Sequence, residues 1–201
     1  MRTIEKTIYN FNELNKEIQE KLIENEKETD RDFYISYYLH DDMGSKASDL
    51  INDYFGVESD YLYTYYDLDY SQGSGAMIEF NISMLDINKA LKGGLTKDEI
   101  KLLTDYNTMV EIRHNNSHYY HEYTFNFDYS IEYEYDDNYI IGLSEKLDVL
   151  MDKFKEYVIK MNKELTRYGY DVIENYCTDV DCIVERLNEN EYYENGEVYH
   201  G

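Results

Sequence analysis

The stretch Tyr65 to Phe80 reads YYDLDYSQGSGAMIEF, and its glycine run SQGSGA is raw material for a phosphate cradle. Such a cradle needs glycines that lead into a helix N-terminus, whose free N–H groups and dipole meet the anion; its Walker form adds a Lys and a Ser or Thr. Here Gly75 is followed by Ala76, Met77, Ile78, Glu79, Phe80, Asn81 and Ile82, an alternation that reads as a strand. Asp67, Asp69 and Glu79 would also repel a phosphate. Gln72 to Gly75 is therefore expected to be a hairpin connection in which glycine supplies positive φ.

A second candidate is IRHNNSHYYHEY, where His114, His118 and His121 have metal-ligand chemistry. A two-residue turn at Asn115–Asn116 would pair His114 with Ser117, Ile112 with Tyr119 and Val110 with His121. That register puts His114 and His121 on one face and His118 on the other, so the three do not converge, and structural histidines are expected. Paired carboxylates for acid–base work cannot be singled out where 43 of 201 residues are acidic, because close pairs arise by chance. The chain holds no HExxH or GxSxG motif and no Cys–His arrangement with supporting context. An enzyme is not expected, nor is a cofactor or a metal.

The third candidate is a row of acids. From Tyr119 the chain reads YHEYTFNFDYSIEYEYDD. A strand from His118 to Tyr135 would put Tyr119, His121, Tyr123, Phe125, Phe127, Tyr129, Ile131, Tyr133 and Tyr135 on one face. Glu122, Asn126, Asp128, Glu132, Glu134 and Asp136 would line the other, with Asp137 adjacent. Alternate residues in a strand lie about 6.6–6.8 Å apart, close to the roughly 6–7 Å between neighbouring phosphates along a nucleic-acid strand. Such a row can imitate phosphates. On the local pattern alone the simpler reading is a half-buried strand with a solvated outer face, interrupted by a bulge or break.

The elements that must carry these residues can be read from hydrophobic period. Thr3 to Tyr9 suits a first strand, and Leu14, Ile18 and Leu22 give Asn12 to Asn25 a helical face. Further helices are expected at Phe33 to His40 and at Ser45 to Phe55, the latter ending at Gly56. Strands are expected at Tyr61 to Tyr70, Ala76 to Met84 and Met109 to His114. Thr96 and Glu99 spell a capping box for a helix over Lys97 to Asp105. Ser144 is expected to cap the longest helix, to about Arg167, with Leu147, Leu150, Met151, Phe154, Val158, Met161 and Leu165 as its apolar stripe. A last helix, about Asp179 to Asn188, precedes a hairpin turn at Asn195–Gly196. These patterns predict an α+β fold, an antiparallel twisted sheet with helices packed mainly on one face, in a single acidic domain over residues 1–201.

The charge balance bears on partners. Against 43 acids stand 19 Lys plus Arg, a formal net charge of −24, well beyond the magnitude of roughly 2–8 that keeps a small domain soluble. Such a field repels nucleic acid and anionic lipid and attracts basic proteins. Glu13, Glu17, Glu20, Glu24 and Glu28 add a negative stripe to the first helix. Hydrophobic residues make up 42% of the chain, enough to fold it. The first twenty residues are too polar for a signal peptide, and no run approaches the roughly 18 apolar residues of a membrane span, so a cytoplasmic protein without membrane contact is expected. Cys177 and Cys182, about 140° apart on an expected helix, are expected to be free, buried thiols.

Four segments, YNFNELNKEIQEKLI, YYDLDYSQGSGA, HNNSHYYHEYTF and NENEYYENGEVY, together resemble a loose family of accessory proteins of bacteriophages and mobile elements that carry an antitoxin-like label. Its pattern is an FxEL-type opening followed by YSxxYxQGxGA-like and HxxHYxHE-like segments, and this chain has Tyr in place of the family's tryptophan-rich tracts. The resemblance implies a phage-borne source and supplies no catalytic residues to carry over. In physical character the chain is similar to acidic anti-CRISPR and anti-restriction inhibitors. The expected function is thus inhibition of a basic nucleic-acid-binding host protein or CRISPR effector complex, without direct nucleic-acid binding, through Asp128, Glu132, Glu134, Asp136, Asp137 and Glu122. The competing expectation is an antitoxin-like or other protein-binding regulator that uses an aromatic patch.

Overall fold

The computed structural model describes residues 7–69, 72–105, 108–129, 137–176 and 179–200, excepting the side chains of 137–141. The fold is α+β, with six α-helices and two antiparallel sheets among the described residues. The chain forms two compact units, His40–Tyr170 and Met1–Leu39 with Asp171–Gly201.

In the first of these units the strands β2 (Leu62–Asp67), β3 (Gly75–Ser83), β4 (Met109–His114) and β5 (Phe125–Asp128) lie side by side in chain order, each antiparallel to its neighbour. Register sets Phe80 opposite Ile112 and Ile112 opposite Phe127. The three side chains therefore share a face. Against it pack α2 (Leu39–Phe55), which buries Met43, Ala47, Leu50, Ile51 and Phe55 at helical spacing, and α5 (Asp137–Tyr176), with the expected stripe from Leu147 to Leu165 buried. The Phe154 ring lies 5.3 Å from Phe55, 6.3 Å from Phe80 and 5.4 Å from Phe127, joining both helices to the sheet.

The sheet splits. Pairing of β3 with β4 stops at Phe80 and Ile112, whereas β3 stays paired with β2 down to Gly75. Two β3 donors take acceptors from α5 instead: the Ile78 N–H donates to Asn162 Oδ1 at 3.0 Å, and the Ala76 N–H to Thr166 Oγ1 at 2.8 Å. A buried N–H must find a partner, and here polar side chains of a helix replace the missing strand.

Two short helices lie between β3 and β4. Helix α3 (Met84–Leu91), not expected from the sequence, starts where the Ser83 hydroxyl accepts the Asp86 N–H at 3.1 Å. Helix α4 (Lys97–Asp105) has the expected capping box: the Thr96 N–H donates to Glu99 Oε2 at 2.6 Å and the Glu99 N–H to Thr96 Oγ1 at 3.3 Å. Lys146 adds an ion pair to Glu99 at 2.7 Å.

The second unit holds β1 (Tyr9–Asn10) paired with β6 (Glu191–Tyr192), together with α1 (Lys16–Tyr37) and α6 (Val180–Leu187). Phe11, Leu14, Ile183, Leu187 and Tyr192 form its core. Arg186 joins the helices through Asp30 at 2.5 Å and Glu26 at 3.6 Å. The Asn195–Gly196 turn forms as expected, with Gly196 at φ 85° and the Tyr193 N–H donating to the Glu197 carbonyl at 2.9 Å.

Several boundaries are corrected. The two helices expected at Asn12–Asn25 and Phe33–His40 are one helix, α1, because the polar link EKETDRD contains helix-compatible residues and no Gly or Pro. Asn15, not Asn12, leads into it, its side chain accepting the Ile18 N–H at 3.0 Å. Ser144 lies inside α5 rather than capping it, since the helix begins at Asp137. Cys182 is exposed, not buried. Its thiol donates to Asp179 Oδ2 at 3.2 Å, and that bond is the main reason its pKa is raised. Cys177 lies outside the described residues. No helix among the described residues is long and apolar enough to cross a membrane.

Candidate partner-binding surface

Of the strand expected from His118 to Tyr135, Phe125–Asp128 forms β5, residues 118–124 do not join it, and residues 130–135 lie outside the described residues. Residues between His114 and Phe125 make a long loop, and β5 pairs with β4 so that Ile112 faces Phe127 and His114 faces Phe125, not Tyr119 and Ser117. The physical reason lies in local hydrogen bonding. The Asn115 N–H donates to the Thr124 carbonyl at 3.1 Å, and the Thr124 N–H turns back to the His121 carbonyl at 3.0 Å, closing a compact turn where a strand was expected. The Thr124 hydroxyl strengthens the turn, accepting the His121 N–H at 3.1 Å.

Among the described residues, this arrangement takes Glu122 off the strand that carries Asp128. Asp128 is exposed on β5, opposite Glu111 on β4. Glu122 lies in the loop, 3.7 Å from the Lys163 ammonium, and is not a rung of the same strand. Asp137 opens α5. Glu132, Glu134 and Asp136 lie outside the described residues. Two of the histidines serve the loop: His114 Nδ1 accepts the Asn116 N–H at 3.2 Å, and its Nε2 faces the Tyr119 carbonyl at 3.2 Å. His121 Nδ1 accepts the Tyr123 N–H at 3.2 Å.

On the sheet face opposite Phe80 lies a network the sequence analysis missed. Glu79, 5% exposed, accepts hydrogen bonds from the Tyr61 hydroxyl at 2.6 Å, Arg113 Nη1 at 3.2 Å and the His114 N–H at 3.1 Å. Arg113 also binds Glu111 at 2.7 Å and lies 5.1 Å from the Tyr61 ring centroid. Burial pushes the Glu79 carboxyl upward, but the bonds from Tyr61, the His114 backbone and Arg113 outweigh it and hold the group below its ordinary value. The available signal was a single acid within the otherwise apolar run GAMIEF.

The glycine segment belongs to this surface. It connects β2 to β3 as an antiparallel hairpin, and the loop before β5 folds onto it. Gly73 has φ 94°, and the Tyr119 ring occupies the place a β-carbon would take. At Gly75 a β-carbon would lie 2.9 Å from the Tyr120 carbonyl oxygen and 3.1 Å from His121 Cα. Only glycine lets the two loops come this close. Gly73→Val is expected to lower stability by about 1–3 kcal/mol, through strain at positive φ and displacement of Tyr119. Thermal denaturation checks it; an unchanged melting temperature with lost binding would make this a ligand loop alone. Between the loops, Gln72, Gly73, Ser74, Tyr119, His121, Glu122 and Tyr123 enclose an open pocket of about 430 Å3.

The other unit presents two surfaces. Glu17, Glu20, Glu24 and Glu28 are all exposed along α1, as the sequence predicts, whereas Glu13, expected in the same stripe, precedes the helix and accepts the Asn10 N–H at 2.8 Å. Around its C-terminal end Phe33, Tyr37, Tyr38 and Tyr176 are 46%, 69%, 48% and 44% exposed. They form a cluster with the buried Tyr34, whose ring stacks on Tyr176 at 4.6 Å. Comparison with protein-family models, with curated proteins and with solved structures finds no match to this chain.

Proposed function

We propose that the protein is an anti-defence inhibitor of the anti-CRISPR kind, acting in the host cytoplasm on a basic nucleic-acid-binding protein or effector complex. Its carboxylates take the positions that phosphates of the nucleic acid would occupy. The observation that carries this reading is the net charge of −24. An excess of that size costs self-repulsion in the compact state and exceeds any solubility need. The phage-type resemblance of the sequence supports the same class of partner.

The test is competition. A guide-loaded effector is mixed with target DNA and the protein is titrated in; DNA release is expected, and the protein's affinity for the effector is expected to fall about tenfold or more between about 0.05 and about 0.2 M salt, because charge-led association is screened. DNA binding that persists at saturating protein overturns direct mimicry.

A second reading has its own observation, the exposed aromatic cluster Phe33, Tyr37, Tyr38 and Tyr176. Exposed aromatics packed together suit an antitoxin-like or other protein-binding regulator. Binding of that kind is expected to change little with salt, so the same titration separates the two.

A further inference from the structure

We infer that the pocket between the Gln72–Ser74 turn and the Tyr119–Tyr123 turn receives an arginine side chain of the basic partner. The identity of the occupant rests on the partner class proposed above. The pocket, about 430 Å3 and open to solvent, falls within the usual size range of ligand sites. It is lined by two exposed tyrosines, Tyr119 at 53% and Tyr123 at 55%, and by Glu122 between them in sequence. Aromatic faces beside one carboxylate form the chemistry that selects an organic cation.

The chain itself supplies an independent sign of that preference. The Lys163 ammonium of α5 lies 5.5 Å from the Tyr123 ring centroid, 3.5 Å from its hydroxyl and 3.7 Å from Glu122 Oε1. Tyr123 and Glu122 thus already hold a cation, at a distance from the carboxylate longer than a hydrogen bond. Lys163 is 53% exposed and gives way easily to a better-fitting group. A guanidinium fits better than an ammonium, since it is planar, stacks on an aromatic face and donates two parallel bonds to one carboxylate. Tyr119 is set for stacking because its ring rests on Gly73, where no side chain intervenes. The pocket discriminates against phosphate-bearing ligands by the sign of Glu122 and of Asp69, which accepts the Ser74 hydroxyl at 2.7 Å.

The experiment titrates the full chain with Nα-acetyl-arginine amide, observed by amide chemical shifts, with the neutral citrulline analogue as control. Saturable shifts centred on Gly73, Tyr119 and Glu122 are expected, with no saturation by citrulline. Tyr119→Ala and Glu122→Gln are each expected to weaken binding about fivefold or more. Tyr123→Leu removes a ring without touching the Gly73 contact, and covers the case in which Tyr119→Ala disturbs the loop. Shifts spread over the acidic surface without saturation, or an affinity unchanged in all three variants, overturn the inference. Saturable arginine binding alongside failed competition with DNA supports the pocket and overturns direct mimicry. Effective competition without arginine binding at the pocket overturns the pocket alone.

Discussion

The combined reversal Glu132→Lys, Glu134→Lys and Asp136→Lys is expected to abolish competition with target DNA, a loss of about a hundredfold or more in affinity for the effector. Close charge pairs across an interface couple by roughly 1.5–7 kcal/mol, and like charges placed opposite one another add a penalty of several kcal/mol. The matched control is Glu17→Lys, Glu20→Lys and Glu24→Lys on α1, whose three acids are exposed along one helix. Both triple variants change the net charge by the same amount, so a field acting at long range weakens equally in the two. Mimicry needs carboxylates in particular places, and the first variant is expected to lose far more than the second. Equal losses would assign inhibition to total charge, and a larger loss from the α1 variant would move the binding surface to that helix.

Glu79→Gln is expected to cost about 2–4 kcal/mol, less than the roughly 3–5 of a fully buried pair because the Arg113 end is 43% exposed. The Tyr61 hydroxyl, the Arg113 guanidinium and the His114 N–H all donate to this carboxylate. A glutamine offers one oxygen, and its amide nitrogen must face a donor. For a chain of this length the change lowers Tm by several degrees, at about 2–4 °C per kcal/mol. The sign of the pH effect follows from the direction of the shift. Glu79 has its carboxyl depressed in the folded state, so its contribution is complete above the unfolded value of about 4.3 and is lost as pH falls through the folded one. Denaturant unfolding of both proteins checks this: the gap between them is expected to be constant near neutral pH and to narrow in acid. A constant gap into acid would mean that Glu79 contributes by packing and not by charge.

Local chemistry was readable wherever one short segment sufficed to satisfy its own groups. Thr96 and Glu99 close their box within one turn, and Gly196 supplies the positive φ of a tight turn. The stripe from Leu147 to Leu165 could only be a helix face. The site was less legible. The alternation YHEYTFNFDY suits a strand as far as period goes, but Thr124 bonds back to His121, and the loop takes residues that the pattern offered to the sheet. Pairing with β4 then moves from Tyr119 to Phe127, and Glu122 goes to the pocket while Asp128 stays on the strand.

The sequence by itself determined the α+β class, the antiparallel pairing of neighbouring strands, the apolar stripe of the long helix and the surplus of negative charge, because each follows from composition or from a period within one segment. The tertiary structure alone decided which distant groups meet. Asn162 and Thr166 lie on a helix about ninety residues from the strand whose N–H groups they accept; Glu79 gathers Tyr61 and Arg113 from two other segments; and Tyr119 settles on Gly73. In each case a buried or crowded group found its partner across the chain, and no local period encodes a contact between segments that only packing brings together.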